Sequence, residues 1–257
     1  MGLDRLAKAL SGAVIAALLA AGAQARTAAP PPANAPPPAA RAPGEDWARL
    51  GRYRDENAEV SAGAAPQVVF LGDSITEGWK NGDPGFFDHG ILDRGIAGQT
   101  SAQMLLRFEQ DVVALHPRVV QIMAGTNDIA GNPGAGTLAD YRNNIRAMIT
   151  LARANGIVVI LASIPPTAHI GWAPAVEPVA LIAAQNSWLK SDAAAQNAVF
   201  ADYVSPLASA DGAMASQYSA DGVHPNAAGY QVMEPVAEAA MAQALRRWRP
   251  VARSRGG

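Results

Sequence analysis

The chain has 257 residues, a formal net charge of −2 at pH 7 and no cysteine. That mild acidity gives no electrostatic case for a nucleic-acid or anionic-membrane partner. The missing thiols exclude disulfides, thiol catalysis and a lipid-modified N-terminal cysteine.

In chain order, residues 1–25 read as a secretory signal peptide, with Arg5 and Lys8 as the positive n-region. "ALSGAVIAALLAAG" is the apolar h-region, and Ala23-Gln24-Ala25 is an A-x-A cleavage site. The apolar run is short for a membrane span, which needs about 20 residues; the alternative is an uncleaved N-terminal anchor. No other stretch is long and apolar enough to span, so no stable membrane span is expected after cleavage. The leader carries Asp4, Arg5 and Lys8, so its removal takes the net charge from −2 to −3. Residues 26–44 are dominated by proline and alanine and read as an extended tether. The globular part is expected over 45–249, followed by a disordered tail at 250–257. About 200 residues suffice for one domain with a sizeable core.

Strand and helix signals alternate through that region. Residues 45–60 have helical composition, with Trp47, Leu50 and Tyr53 spaced to share a face. "PQVVFLG" (66–72) is a short β-branched and aromatic run that predicts a buried strand, with a helix at or just after Ser74. "ILDRGIAG" (91–98) is a weaker strand. Residues 100–117 place Met104, Leu105, Phe108, Val112 and Leu115 on one helical face, ended by Pro117. "RVVQIMAGTND" (118–128) predicts a strand entering a turn. An amphipathic helix follows over 138–156, then the apolar strand "IVVILASIPP" (157–166), a helix over 179–197, a short strand over 198–203 and a last helix over 226–247. This alternation predicts a parallel sheet covered by helices on both faces. Ligands of such sheets bind beyond the carboxyl ends of the strands. "GDS", "GIAGQTS" and "GTND" should all emerge there.

Ser74 has two readings. Ser74-Ile75-Thr76-Glu77 fits a capping box at the start of a helix. Alternatively, Ser74 is a nucleophile displayed at a strand-to-helix turn, which requires a base. His116 reads as a surface residue at a helix end, and His89 and His169 fall in loops. His224 lies three residues after Asp221 in "SADGVHPNAAGY", where a turn lets the carboxylate hold one ring nitrogen and leave the other free. "DGVHPN" can also be a plain turn before a helix, with Pro225 at its start. An acyl-transfer site also needs donors for a developing oxyanion. The backbone N–H groups of Ser74 and Gly98 and the side-chain amide of Asn127 are the candidates. The Asp221/His224 pair is no complete metal-ligand set, so neither metal nor cofactor is expected.

Together "GDSITEG", "GIAGQTS", "GTND" and "DGVHP" resemble the four blocks of the GDSL, or SGNH, hydrolase superfamily, from about residue 66 to 230. The resemblance implies a three-layer α/β/α sandwich with about five parallel strands, of flavodoxin-like type. It implies Ser74 as nucleophile, His224 as base oriented by Asp221, and Ser74, Gly98 and Asn127 as the oxyanion hole. Ile75 replaces the family's block-I leucine, and Asp93 stands where relatives often carry asparagine. The ordinary α/β-hydrolase elbow, G-x-S-x-G, is not matched, because Thr76 follows two residues after Ser74. The implied activity is serine esterase or acylhydrolase chemistry through an acyl-enzyme. The loops "GNPGAGT" (131–137) and "TAHIGWAPAVEP" (167–178) follow strands at the active edge, and no long apolar helix is available to roof a fatty-acyl tunnel, so short acyl or O-acetyl groups of a small-molecule or glycan ester are expected. A lipid ester or lysophospholipid is the alternative substrate. A non-catalytic envelope-binding module on the same fold would have lost a catalytic residue, and none is missing. Phe86, Phe87, Trp172 and Trp188 are read as core aromatics.

Overall fold

The structure is a computed structural model that describes residues 46–88 and 90–250. Residues 1–45, where the leader and tether are expected, His89 and residues 251–257 lie outside the described residues.

Five strands, β1 (Val68–Gly72), β2 (Ile91–Gly95), β3 (Val119–Met123), β4 (Val158–Ala162) and β5 (Val199–Ala201), form one sheet in the order β2-β1-β3-β4-β5. Every pairing is parallel. The strands are short apolar runs because both of their faces are covered, as parallel sheets require. Side chains alternate between the faces. Val69, Leu71, Val120, Ile122, Val159 and Leu161 belong to one core, and Val68, Phe70, Val119, Met123, Ile160 and Ala162 to the other.

The first core is closed by α3 (Ser101–Asp111), α5 (Leu138–Ala154) and α6 (Pro178–Ala195), through Met104, Phe108, Ile145, Met148, Ile182 and Leu189. The second is closed by α2 (Ser74–Gly82) and α8 (Ala227–Arg247), through Ile75, Trp79, Met233, Ala237 and Met241. The result is the three-layer α/β/α sandwich expected. Capping boxes start two of the helices: Thr100 with Gln103 on α3, and Thr137 with Asp140 on α5. The remaining helices are α1 (Arg54–Ala62) and the single turns α4 (Thr126–Ile129) and α7 (Val204–Leu207).

The register positions the site. Gly72 pairs with both Gly95 and Met123, so β1, β2 and β3 end in one row. The segments that follow them therefore leave from a common edge. Gly95 is obligatory there, since a Cβ would lie 2.1 Å from the backbone nitrogen of Glu77 in α2.

Two elements differ from expectation. The helix read over 100–117 ends at Asp111, where Val112 leaves helical geometry at φ −131°, and Leu115 falls in a separate 3-10 turn. Residues 46–53 are turns, and the first helix begins only at Arg54. Asp46 carboxylate oxygens accept from the N–H groups of Leu50 and Gly51, offering the backbone an alternative to the helical ladder. Arg49 adopts φ 53°, which breaks helical continuity. Trp47 and Leu50 stay exposed, while Tyr53 is buried and donates its hydroxyl to the Gly95 carbonyl.

Trp79 is fully buried, stacked on Phe86 at 4.8 Å and packed edge-on against Phe70 and Tyr203. Trp79→Ala should therefore destabilise the fold by about 3–5 kcal/mol in urea unfolding. A loss below about 1 kcal/mol would show that the second core does not depend on this cluster.

Candidate active site

Residue 74 sits where β1 turns into α2. The N-cap of that helix is Asp73, whose Oδ1 accepts from Ile75 N–H at 3.0 Å. Glu77, which would complete a capping box for Ser74, instead accepts from Ala97 N–H at 2.8 Å. Ser74 is thus the first helical residue, its hydroxyl is not used for capping, and its own N–H has no partner within the helix. The positive end of the α2 dipole lies at this turn.

The Ser74 hydroxyl is 2.9 Å from His224 Nε2, across 150 residues of chain. His224 Nδ1 is 2.7 Å from Asp221 Oδ2. Asp221 Oδ1 accepts from Val223 N–H, His224 N–H and the Ser219 hydroxyl at 2.8–3.0 Å. The short segment before α8 is therefore wound around one carboxylate, which fixes the imidazole. Burial opposes ionisation of Asp221, but the bond from the His224 ring and those from two backbone N–H groups hold its pKa far below the ordinary range. Burial pulls the His224 pKa down, and the hydrogen bond and charge of Asp221, with Asp73 adding, outweigh it and leave it above 6.5.

Gly98 lies between β2 and α3 with φ 78°, a left-handed conformation that favours glycine. Asn127 lies on α4, directly beyond β3, and is 2% exposed. Its Nδ2 donates to Asp73 Oδ2 and to the Gln99 carbonyl, both at 3.1 Å. The fold brings Ser74, Asn127, Asp221 and His224 into one hydrogen-bonded neighbourhood, and Gly98 enters it through Asn132, which donates to the Gly98 carbonyl at 3.1 Å. His116 and His169 are exposed.

Several participants were not singled out by sequence reasoning. Asp73 is buried, and desolvation pushes its pKa up to about 6 against the bond from Ile75 N–H and the charge of His224. Asp128 is raised by burial too, while accepting from the N–H and hydroxyl of Ser101 and so joining α4 to α3. Arg107 is fully buried and donates to the Gly72 carbonyl at 3.0 Å, the Arg94 carbonyl at 2.9 Å and Gln99 Oε1 at 2.6 Å. It ties together the ends of β1 and β2 and the loop after β2. The available signal was an Arg107/Asp111 pair, four residues apart on the apolar face of α3. Phe86 and Phe87 are core residues, and Trp188 packs half-buried against Tyr141. Trp172, like Trp188, is half-buried against the first core; beyond that reading, its ring centroid is 6.0 Å from that of His224 and its indole donates to Asn132.

Chemically, a serine hydroxyl bonded to an imidazole that is bonded to a carboxylate can lose its proton to the ring as it attacks an electrophilic carbon. This is the constellation of serine-dependent acyl transfer on a parallel α/β sheet. Residues 70–232 match the GDSL-like lipase/acylhydrolase family, and the chain belongs to it. It is a carboxylic ester hydrolase of that family. A Bacteroides fragilis protein assigned as an acylhydrolase is 44% identical, with 79% of this chain and 100% of that one covered and a TM-score of 0.74. A GDSL-like lipase from Bacteroides thetaiotaomicron is 41% identical, covering 77% and 98% of the two chains at a TM-score of 0.72. An uncharacterized lipoprotein of Bacillus subtilis, YqeF, is 35% identical over 120 residues, 38% of this chain; the chain spans about half, 48%, of that relative.

The geometry makes a direct prediction for His224. Nitrogen NMR of the ring should give a pKa above 6.5 in the folded protein. Asp221→Asn removes the charge that favours imidazolium, so that pKa should fall. A value unchanged by Asp221→Asn would mean that another group sets it.

Proposed function

We propose that the chain is an exported serine esterase that cleaves short acyl or O-acetyl esters through a covalent acyl-enzyme on Ser74. The observation that carries this reading is the unbroken chain from Ser74 Oγ through His224 to Asp221. Ser74 Oγ attacks the ester carbonyl carbon while its proton passes to His224 Nε2. The carbonyl oxygen becomes an oxyanion, held by the N–H groups of Ser74 and Gly98 and the Asn127 amide. Collapse breaks the bond to the alkoxy oxygen, and His224 returns the proton to the leaving alcohol. Water then attacks the acyl-enzyme by the same route, releasing the acid and restoring Ser74. Asp221 stays ionised and keeps the imidazole in the tautomer that leaves Nε2 free. The N–H that Asn127 directs at Asp73 spans 3.1 Å, long for a bond to a carboxylate, and is the one exchanged for the oxyanion.

The short-acyl preference is supported by what borders the site. The segments 131–137 and 167–178 are punctuated by glycine and proline and bring Asn132 and Trp172 against the site. Neither is a long apolar helix of the kind that roofs a fatty-acyl tunnel. The expected substrates are accordingly small-molecule or glycan esters.

A fluorophosphonate probe and a series of nitrophenyl esters test the chemistry together. The probe should label Ser74, turnover should be best with short acyl chains, and Ser74→Ala should abolish both label and turnover while remaining folded. Labelling at another residue would remove Ser74 as nucleophile, and a best kcat/KM at long chains would overturn the size preference.

Export is supported by the n-region, h-region and Ala23-Gln24-Ala25 of the sequence, and the Bacillus subtilis relative is named a lipoprotein. Without a cysteine, this sequence has no site for a thioether-linked lipid. The proposed organisation is a leader over 1–25, a tether over 26–44 and a hydrolase domain over 45–249. Mass spectrometry of the exported protein should find Arg26 as the N-terminus; intact Met1 on membrane-bound material would instead support an uncleaved anchor.

A further inference from the structure

The oxyanion role of Asn127 depends on which end of its amide faces the nucleophile. The NH2 end donates charge stabilisation; the oxygen end would repel an oxyanion. The two ends have nearly the same shape, so packing alone selects neither, and the hydrogen-bond network must decide.

The network begins at a group with no choice. An indole N–H can only donate. Trp172 Nε1 donates to Asn132 Oδ1 at 2.9 Å, so Asn132 must present its oxygen to Trp172 and its NH2 to the opposite side. That NH2 donates to Asn127 Oδ1 at 2.7 Å and to the Gly98 carbonyl, itself an obligatory acceptor, at 3.1 Å. With its oxygen taken by Asn132, Asn127 must present its NH2 to the turn that carries Ser74, where it meets Asp73 Oδ2 and the Gln99 carbonyl. Each link agrees with the next, and the Gly98 and Gln99 carbonyls, which can only accept, favour the same two orientations. Asn132 is 5% exposed and Asn127 2%, so water is a poor substitute for either partner. Trp172 comes from the segment after β4, and Asn132 from the one after β3 and α4. The relay therefore carries information between two different connections at the edge of the sheet.

We propose that Trp172 and Asn132 form a one-way hydrogen-bond relay that fixes the Asn127 amide with its NH2 toward the oxyanion. Both are positioning residues: they act through Asn127 and touch neither the reacting carbon nor its oxygen. This inference rests on the oxyanion reading of Asn127, and the test separates the two.

The experiment is a double-mutant cycle on nitrophenyl acetate, with thermal unfolding to confirm folding. Asn127→Ala is measured first and should lower kcat by about 10²–10³ with KM nearly unchanged. Asn132→Leu removes the donor while keeping the same side-chain branching. Trp172→Phe removes the indole N–H while keeping a ring beside His224. In the wild-type background Asn132→Leu should lower kcat by about tenfold or more, up to the Asn127→Ala factor, and Trp172→Phe by about threefold to tenfold, both with little change in KM. In the Asn127→Ala background each should cost less than about twofold, because the group they orient is gone. If Asn127→Ala is crippled but either substitution keeps its full effect in that background, the relay is wrong and the oxyanion reading stands. Folded single variants with wild-type kcat would also overturn the relay. Wild-type turnover in Asn127→Ala would overturn the oxyanion reading and the relay with it. Should Asn132→Leu fail to fold, the Trp172→Phe cycle decides alone.

Discussion

The site depends on the level ending of β1, β2 and β3. Because Gly72 pairs with Gly95 on one side and Met123 on the other, three connections leave the sheet at the same height. Parallel strands joined through covering helices make this possible, since each chain segment returns to the opposite edge before entering the next strand. Gly95 lets the N-terminal turn of α2 settle directly onto the end of β2. Arg107 then fastens the arrangement from beneath, sharing its guanidinium among Gly72, Arg94, Gln99 and Asp111. A buried arginine is costly unless its donors are engaged, and this one is engaged at every nitrogen.

On that platform the carboxylates take different roles through their surroundings. Asp221 meets a ring nitrogen and two backbone N–H groups, so its charge is favoured and available to the imidazole. Asp73 caps α2 and accepts from Asn127, but burial weakens its acidity. Asp128 is spent on Ser101 and joins α4 to α3. The same functional group thus orients a base, holds a turn and an amide, and braces two connections. Local donors and desolvation account for the differences.

The strands were legible because doubly buried parallel strands must be short apolar runs, and "VVFLG", "VVQIM" and "VVILA" leave little alternative. The helices over 138–154 and 227–247 were legible from their length, and their predicted ends fell within two residues. The segment before Arg54 was misread because Asp46 bonds two N–H groups ahead of it, a local competition that composition does not reveal. Glu77 was offered to a capping box that the fold does not use, since it reaches instead to Ala97, twenty residues away. Trp172 was read as a core aromatic and does pack on the first core, but its place beside His224 was not legible, because a side chain's type does not say where its loop folds.

By itself the sequence determined the order of the layers and the presence of a serine, a histidine and an aspartate at the right ends of the right elements. The reason is that hydrophobic period and turn chemistry are local properties, and His224 lies only three residues from its partner. Only the tertiary structure decided which end of Asn127 faces Ser74, where Arg107 spends its donors, and that Asp73 rather than Ser74 caps α2. The reason is that each outcome includes a hydrogen bond across a long stretch of chain: Asn127 reaches Gln99 and Asp73, 28 and 54 residues away, Arg107 reaches Gly72, 35 residues away, and the Ser74 hydroxyl is taken by His224, 150 residues on.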